Sequence, residues 1–476
     1  MASRSTFGAH REPARDLRSI VDRREFRIIL EVAVIVAWLA LRTIVGVRSD
    51  LYAAWAVTAA ILAFVSPVSG LVVLGSTAAF FEPVSAIGVV GWRTVIVVTL
   101  AIGVAVRLLA GGWRRYPRSP VAGGAALLAL VTLGGVIVTF SRFDEAVAWH
   151  AAGSWLATIG GAMFVLLSAV WVFRDGERRP LVAAIAACVV AAVLCLVEYV
   201  APGSISTSPL AWIGSWKDFG NRLSGVIASP NGVATLFVIP GAILVAAALL
   251  GSDRRLRLVA AAGAAPLLVA LVLTLSRASI IAFLIFGVVF AWRIRRELGI
   301  AVVVVGLIGG ITLLPAYLQT RSLLAPVEGA VAPGSVLVAS DQTRFRAWAA
   351  SARMFRDDPV FGQGFLSYRQ IAPEFGDRIL NSPHNEWLRL FAEEGVLGGL
   401  AGLALVGLTL AVLRRTSGWW GAGIFAGFLG YVVMASFNNP LLFIQISVVV
   451  FMAVGYGLAS VAGAARARAG PVTEGG

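Results

Sequence analysis

From Arg27 to the C-terminal tail, the sequence returns again and again to apolar runs. Each run is roughly 20 residues long, enough to cross a hydrocarbon core of about 30 Å as a helix. A chain built this way has little choice of fold. Lipid offers no hydrogen bonds, so every backbone N–H and C=O must be satisfied within the protein. The expected fold is therefore all-α, a polytopic membrane helix bundle.

Hydropathy and charge together place spans near 28–47, 51–66, 68–82, 93–110, 121–140, 151–173, 181–200, 231–250, 258–275, 278–292, 299–317, 396–413, 419–437 and 440–462. The pair within 51–82 is short, and the Ser66-Pro67-Val68-Ser69-Gly70 break reads as either a kink or a turn. The expected number of transmembrane helices is therefore 12–14. Composition agrees, with 59% hydrophobic and 13% charged residues, against about 45–50% and 25% in soluble domains.

The net charge is +14. In a soluble protein such a charge would suggest nucleic acid. Here 23 of the 39 basic residues fall in short loops and tails on one side of the spans, including Arg114, Arg115, Arg174, Arg178, Arg254, Arg293, Arg414 and Arg466. Lys and Arg accumulate on cytoplasmic loops, so the bilayer accounts for the charge and no nucleic-acid partner is expected. Both termini are then cytoplasmic. The organisation reads as a basic tail 1–27, transmembrane helices 28–317, an extracytoplasmic loop 318–395 with short helices, transmembrane helices 396–462 and a cytoplasmic tail 463–476.

The first 27 residues are polar and Arg-rich, unlike a cleavable signal peptide. Lys217 is the only lysine, a bias toward Arg that suggests a GC-rich bacterial genome. Cys188 and Cys195, seven apart on one expected helix, lie roughly 10 Å apart, too far for a disulfide. They read as packing or lipid-facing residues.

Few residues could carry chemistry. Of three histidines, only His384 lies in the long outer segment, in Ser382-Pro383-His384-Asn385-Glu386-Trp387-Leu388. It reads either as a cap or packing residue at a helix start, or as a group exchanging a proton near neutral pH. No second His stands near it, so no metal site is expected. Arg277, in Leu275-Ser276-Arg277-Ala278-Ser279, falls between two apolar runs. Arginine near membrane depth is costly and suggests an anionic partner; the bland reading is a turn whose Arg snorkels to the headgroups. Arg222 and Arg344 alone read as solvated outer-loop arginines. Together the three suit a polyanion, because a guanidinium fork matches phosphate oxygens. No P-loop is present, and nucleotide hydrolysis is not supported.

An ordered set of motifs runs from about 220 to 400. Arg222-x-x-Gly225 is followed by Pro230-Asn231, Ser276-Arg277, Arg344-x-x-x-Trp348, Pro359-x-x-Gly362-x-Gly364, His384-Asn385-x-x-Leu388 and Glu393-x-Gly395-x-x-Gly398. In this the sequence resembles the O-antigen ligase and O-antigen polymerase superfamily of bacterial membrane glycosyltransferases. The resemblance implies transfer of a glycan from an undecaprenyl-pyrophosphate donor to an acceptor hydroxyl of a glycan, lipid or protein, at the outer face of the plasma (inner) membrane. It implies neither cofactor nor metal. It would give Arg277, Arg344 and Arg222 the pyrophosphate, give His384 the acceptor hydroxyl, and give Asn385 and Glu393 supporting roles. Glu393 reads better as the partner of an Arg or as a loop cap than as a base, and Glu394 beside it leaves the assignment between the two open.

Two other readings stay in view. A transporter or flippase of lipid-linked oligosaccharides should carry its charges near the midplane on broken helices in repeated halves, and no duplication is visible. A peptidoglycan polymerase of the shape-and-division type fits the His-Asn motif less well.

Overall fold

The computed structural model describes residues 24–44, 49–80, 85–87, 90–205, 222–227, 229–294, 296–297, 299–300, 302–304 and 335–469. The expected span 299–317 and the first part of the 318–395 loop lie almost wholly outside these.

The helices are α1 (Arg24–Ile44), α2 (Ser49–Val65), α3 (Pro67–Ala78), α4 (Trp92–Leu109), α5 (Pro120–Arg142), α6 (Glu145–Ala157), α7 (Ile159–Phe173), α8 (Arg179–Val200), α9 (Pro230–Leu250), α10 (Arg254–Leu273), α11 (Arg277–Ile294), α12 (Ser335–Asp357), α13 (Tyr368–Ile371), α14 (Glu386–Leu413), α15 (Gly418–Ala435) and α16 (Ile444–Ala469). A short antiparallel pairing of Ser85–Ile87 with Val90–Gly91 lies between α3 and α4. Among the described residues, nine helical segments are long and apolar enough to cross a membrane, and 51–65, 67–78 and 277–292 form shorter apolar helices. The polytopic helical bundle is as the apolar runs predict.

Sequence chemistry sets the helix starts. Ser66, Ser119 and Ser229 each precede a proline at the first helical position, where the missing N–H costs nothing, and each hydroxyl accepts a first-turn N–H. The Ser66-Pro67 break is a true helix boundary, but α3 has only 12 residues, about 18 Å at 1.5 Å per residue. It does not span by itself. The expected span 151–173 begins earlier, at Glu145, and bends at Thr158 where α6 gives way to α7. Cys188 and Cys195 are free thiols buried in the core, so they pack and do not face lipid.

Helices α7, α9 and α16 are buried around most of their circumference, and α10 is the most peripheral of the long ones. Helix α9 packs on α10 and α15, α16 on α7, α11 on α15, and α5 on α14. Close packing needs missing side chains at the crossings: a Cβ at Gly423 or Gly427 of α15 would run into the α9 backbone at Ile243 and Ile239.

Helix α14 builds the end of the bundle where the late motifs gather. It starts at Glu386, ten residues before the expected 396, and is kinked at Gly395, whose φ is 63°. The kink opens the helical ladder, and the 359–364 loop fills it. Val396 gives its N–H to Pro359 O (2.8 Å), while Gln363 N bonds Ala392 O (3.0 Å) and Gly364 N bonds Glu393 O (2.8 Å). The same loop reaches α5, where Phe365 N meets Gly135 O at 3.1 Å and Thr139 Oγ1 donates to Phe365 O at 3.0 Å. A Cβ at Gly395 would overlap the Val360 carbonyl, and one at Gly362 would overlap the backbone of Glu393. Both glycines also have positive φ. Gly395→Ala is therefore expected to lower the melting temperature of the purified protein and its folded yield, with strain of about 1–3 kcal/mol before the overlap is counted. A wild-type melting curve would show that the loop has room to retreat.

Candidate functional site

Five stretches of chain meet at the end of the bundle where α9 begins, α10 ends and α11 begins. Between them lies a cavity of about 240 Å³, lined by Arg222, Asn231, Ser276, Arg277, Ala278, Ile281, Arg344, Phe345, Trp348 and Phe437. The three arginines singled out in the sequence thus share one space.

Each is placed by local backbone chemistry. The C-terminal carbonyls of α10 have no partner within their own helix; Leu273 O accepts from Leu223 N (3.0 Å) and Thr274 O from Arg222 Nε (3.0 Å). These bonds dock the 222–227 segment on α10 and turn Arg222 to the cavity. The chain then reverses through Leu275, at φ 48°, so that Arg277 is the first residue of α11. The amino end of a helix carries partial positive charge and exposed N–H groups, and here it opens on the cavity beside that arginine. The hydroxyl of Ser276, 2% exposed, lines the cavity and has no hydrogen-bond partner among the described residues. Helix α12 brings Arg344, Phe345 and Trp348, with the two rings edge to face at 5.5 Å.

His384 does not line the cavity but stands next to it. Its backbone is left-handed, at φ 48°, a conformation that costs a non-glycine residue about 1–2 kcal/mol. Both flanks hold it there. On one side Trp348 Nε1 donates to Pro383 O at 3.0 Å. On the other, Asn385 caps α14, its Oδ1 accepting from Trp387 N and Leu388 N at 3.1 Å each. The half-buried imidazole is held at about 4, below its ordinary value; burial is the main cause, Arg344 adds to it, and Asp377 opposes it. Asp377 is itself fixed by Tyr368, whose hydroxyl donates to it at 2.7 Å.

Asn385 is thus a helix cap, and the helix starts at Glu386. Glu393 lies away from the cavity, buried. It pairs with Arg389 Nη1 at 2.8 Å and accepts Leu366 N and Tyr368 N, each at 3.2 Å, both the arginine pairing and the loop capping foreseen for it. Glu394 is buried with both oxygens unbonded among the described residues, against Gly135 of α5. Sequence reasoning missed Arg389, which is fully buried and also bonds Glu386. The signal was present: Glu386, Arg389 and Glu393 are spaced i, i+3, i+7 on one helical face. It also missed Phe437 and Ser276 as cavity residues and treated Asn231 only as part of a motif. Among the described residues, no three His, Cys, Asp or Glu side chains gather as a ligand set.

Residues 262–403 match the family described as O-antigen ligase. The matched part is under a third of the chain; it holds Arg277, Arg344, His384, Asn385 and Glu393 but not Arg222. No curated protein matches the chain. This part of the chain is similar to O-antigen ligases, and with the nine apolar helices among the described residues the match fits a multi-pass membrane protein.

Proposed function

From the O-antigen ligase match we propose that this chain is a membrane glycosyltransferase that moves a glycan from undecaprenyl pyrophosphate to an acceptor hydroxyl at the outer face of the bacterial plasma membrane. The observation that carries the reading is the convergence of Arg222, Arg277 and Arg344 on one cavity. In the reaction, the acceptor oxygen forms a bond to the anomeric carbon as that carbon loses its bond to the phosphate oxygen. Negative charge grows on the departing lipid pyrophosphate. Guanidinium forks and a helix amino end, already in place, stabilise it without reorganising. Ser276 Oγ offers one more donor. The acceptor proton passes to His384, which is neutral and able to accept it at neutral pH.

The direct test is transfer in vitro with purified protein, a defined lipid-pyrophosphate glycan and candidate acceptors. Products one donor unit long mark a ligase, a ladder of lengths marks a polymerase, and no transfer to any acceptor overturns the reading.

The orientation makes its own prediction. With the arginine cavity outside and the Arg-rich turns inside, single cysteines at Ser335 and Ser417 are expected to differ in intact cells. An impermeant thiol reagent should label the first and spare the second. The opposite pattern would invert the topology.

A further inference from the structure

We propose that Trp348 is a positioning residue that couples the donor cavity to His384. This inference rests on the transferase reading above and deepens it. One face of the indole lines the arginine cavity, while its N–H is committed to the carbonyl of Pro383, the residue before His384. A single rigid side chain therefore touches both halves of the site. The backbone it secures is strained, and strained backbone persists only where its surroundings over-determine it. Asn385 fixes the C-terminal flank of His384 through the helix cap; the Trp348 bond fixes the N-terminal flank. Phe345, edge-on to the indole, steadies the ring but holds no part of the His384 loop by a hydrogen bond.

Donor binding and proton transfer are then tied through one N–H, and the two functions of Trp348 are separable. Phenylalanine keeps an aromatic face toward the cavity and loses the donor to Pro383. Alanine loses both. Misplacing a catalytic group by about 1 Å can cost as much as 10²-fold. Trp348→Phe is accordingly expected to lower kcat by about 10- to 100-fold while donor KM stays within about twofold, and Trp348→Ala is expected to raise KM as well.

A second measurement does not depend on turnover. With three histidines in the chain, the His384 resonance can be assigned by difference from His384→Gln in ¹⁵N-histidine-labelled protein in detergent. Its pKa should move from about 4 upward in Trp348→Phe, as the imidazole leaves its buried place beside Arg344, with Asp377 the opposing charge. The proposal falls if Trp348→Phe turns over at the wild-type rate, if kcat holds while KM rises, or if kcat falls with the His384 titration unmoved. In each of those cases transfer by the wild-type protein still reports on the transferase reading. No transfer by the wild-type protein to any acceptor would end that reading independently of Trp348.

Discussion

His384→Ala is expected to transfer glycan about 10²–10⁴-fold more slowly per folded molecule, the range of a general acid–base group, with donor affinity nearly unchanged because His384 lies beside the arginine cavity and not in its wall. Activity per folded molecule, measured with donor binding, separates this from misfolding. A well-folded variant at the wild-type rate would end the catalytic assignment. The pH dependence carries further information. In the free protein the imidazole is held at about 4 by burial and by Arg344, so it is neutral through the physiological range and a weak base. Bound pyrophosphate places negative charge beside Arg344, which favours the protonated ring. The acid limb of kcat/KM, which reports the free enzyme, should therefore lie near 4, and the acid limb of kcat, which reports the complex, should lie higher. Rate falls on the acid side in both, because the neutral ring is the accepting form. Coincident limbs would mean that the pyrophosphate does not sit by Arg344.

Arg277→Ala should cost about 10²–10³-fold in kcat, the range for removing one preorganised donor from developing charge. It is the arginine that stands at a helix amino end, so its loss removes a guanidinium where the helix end adds partial positive charge. Arg277→Lys keeps the charge but not the fork and is expected to recover only part of the rate. Lysine equal to arginine would reduce the site to a point charge. Full activity in both Arg277→Ala and Arg344→Ala, at normal folded yield, would remove the pyrophosphate clamp.

Much of this was legible in the sequence because lipid is a simple solvent. A run of about 20 apolar residues has one stable use, and an arginine between two such runs stands out; Arg277 lines the cavity. Arg222 and Arg344 look like ordinary loop arginines, and only the ordered motifs single them out. The expected span starts only at 396 because Arg389, Glu393 and Glu394 resemble loop charges. In the fold three of the four ionisable groups between 386 and 394 bond one another, so the helix begins before its apolar stretch does. Short-range pattern gives no warning that the Pro359-x-x-Gly362-x-Gly364 loop and Gly395 belong to one broken-helix joint. The two are separate in sequence and meet only through main-chain groups.

The buried charges of α14 also bear on how the chain is assembled. A charged side chain costs roughly 2.5–3.5 kcal/mol at the centre of an inserting helix, and the first turns of α14 carry four. Their partners come from both directions along the chain. The 364–368 loop precedes α14 and serves Glu393, whereas Glu386 Oε2 accepts the N–H of Leu441, which is made after α15 is complete. The ribosome therefore delivers α14 before its amino end can be finished. That end waits for Leu441, which follows α15, so a chain truncated after Leu413 lacks more than two spans: it lacks the group that completes the helix carrying the histidine loop.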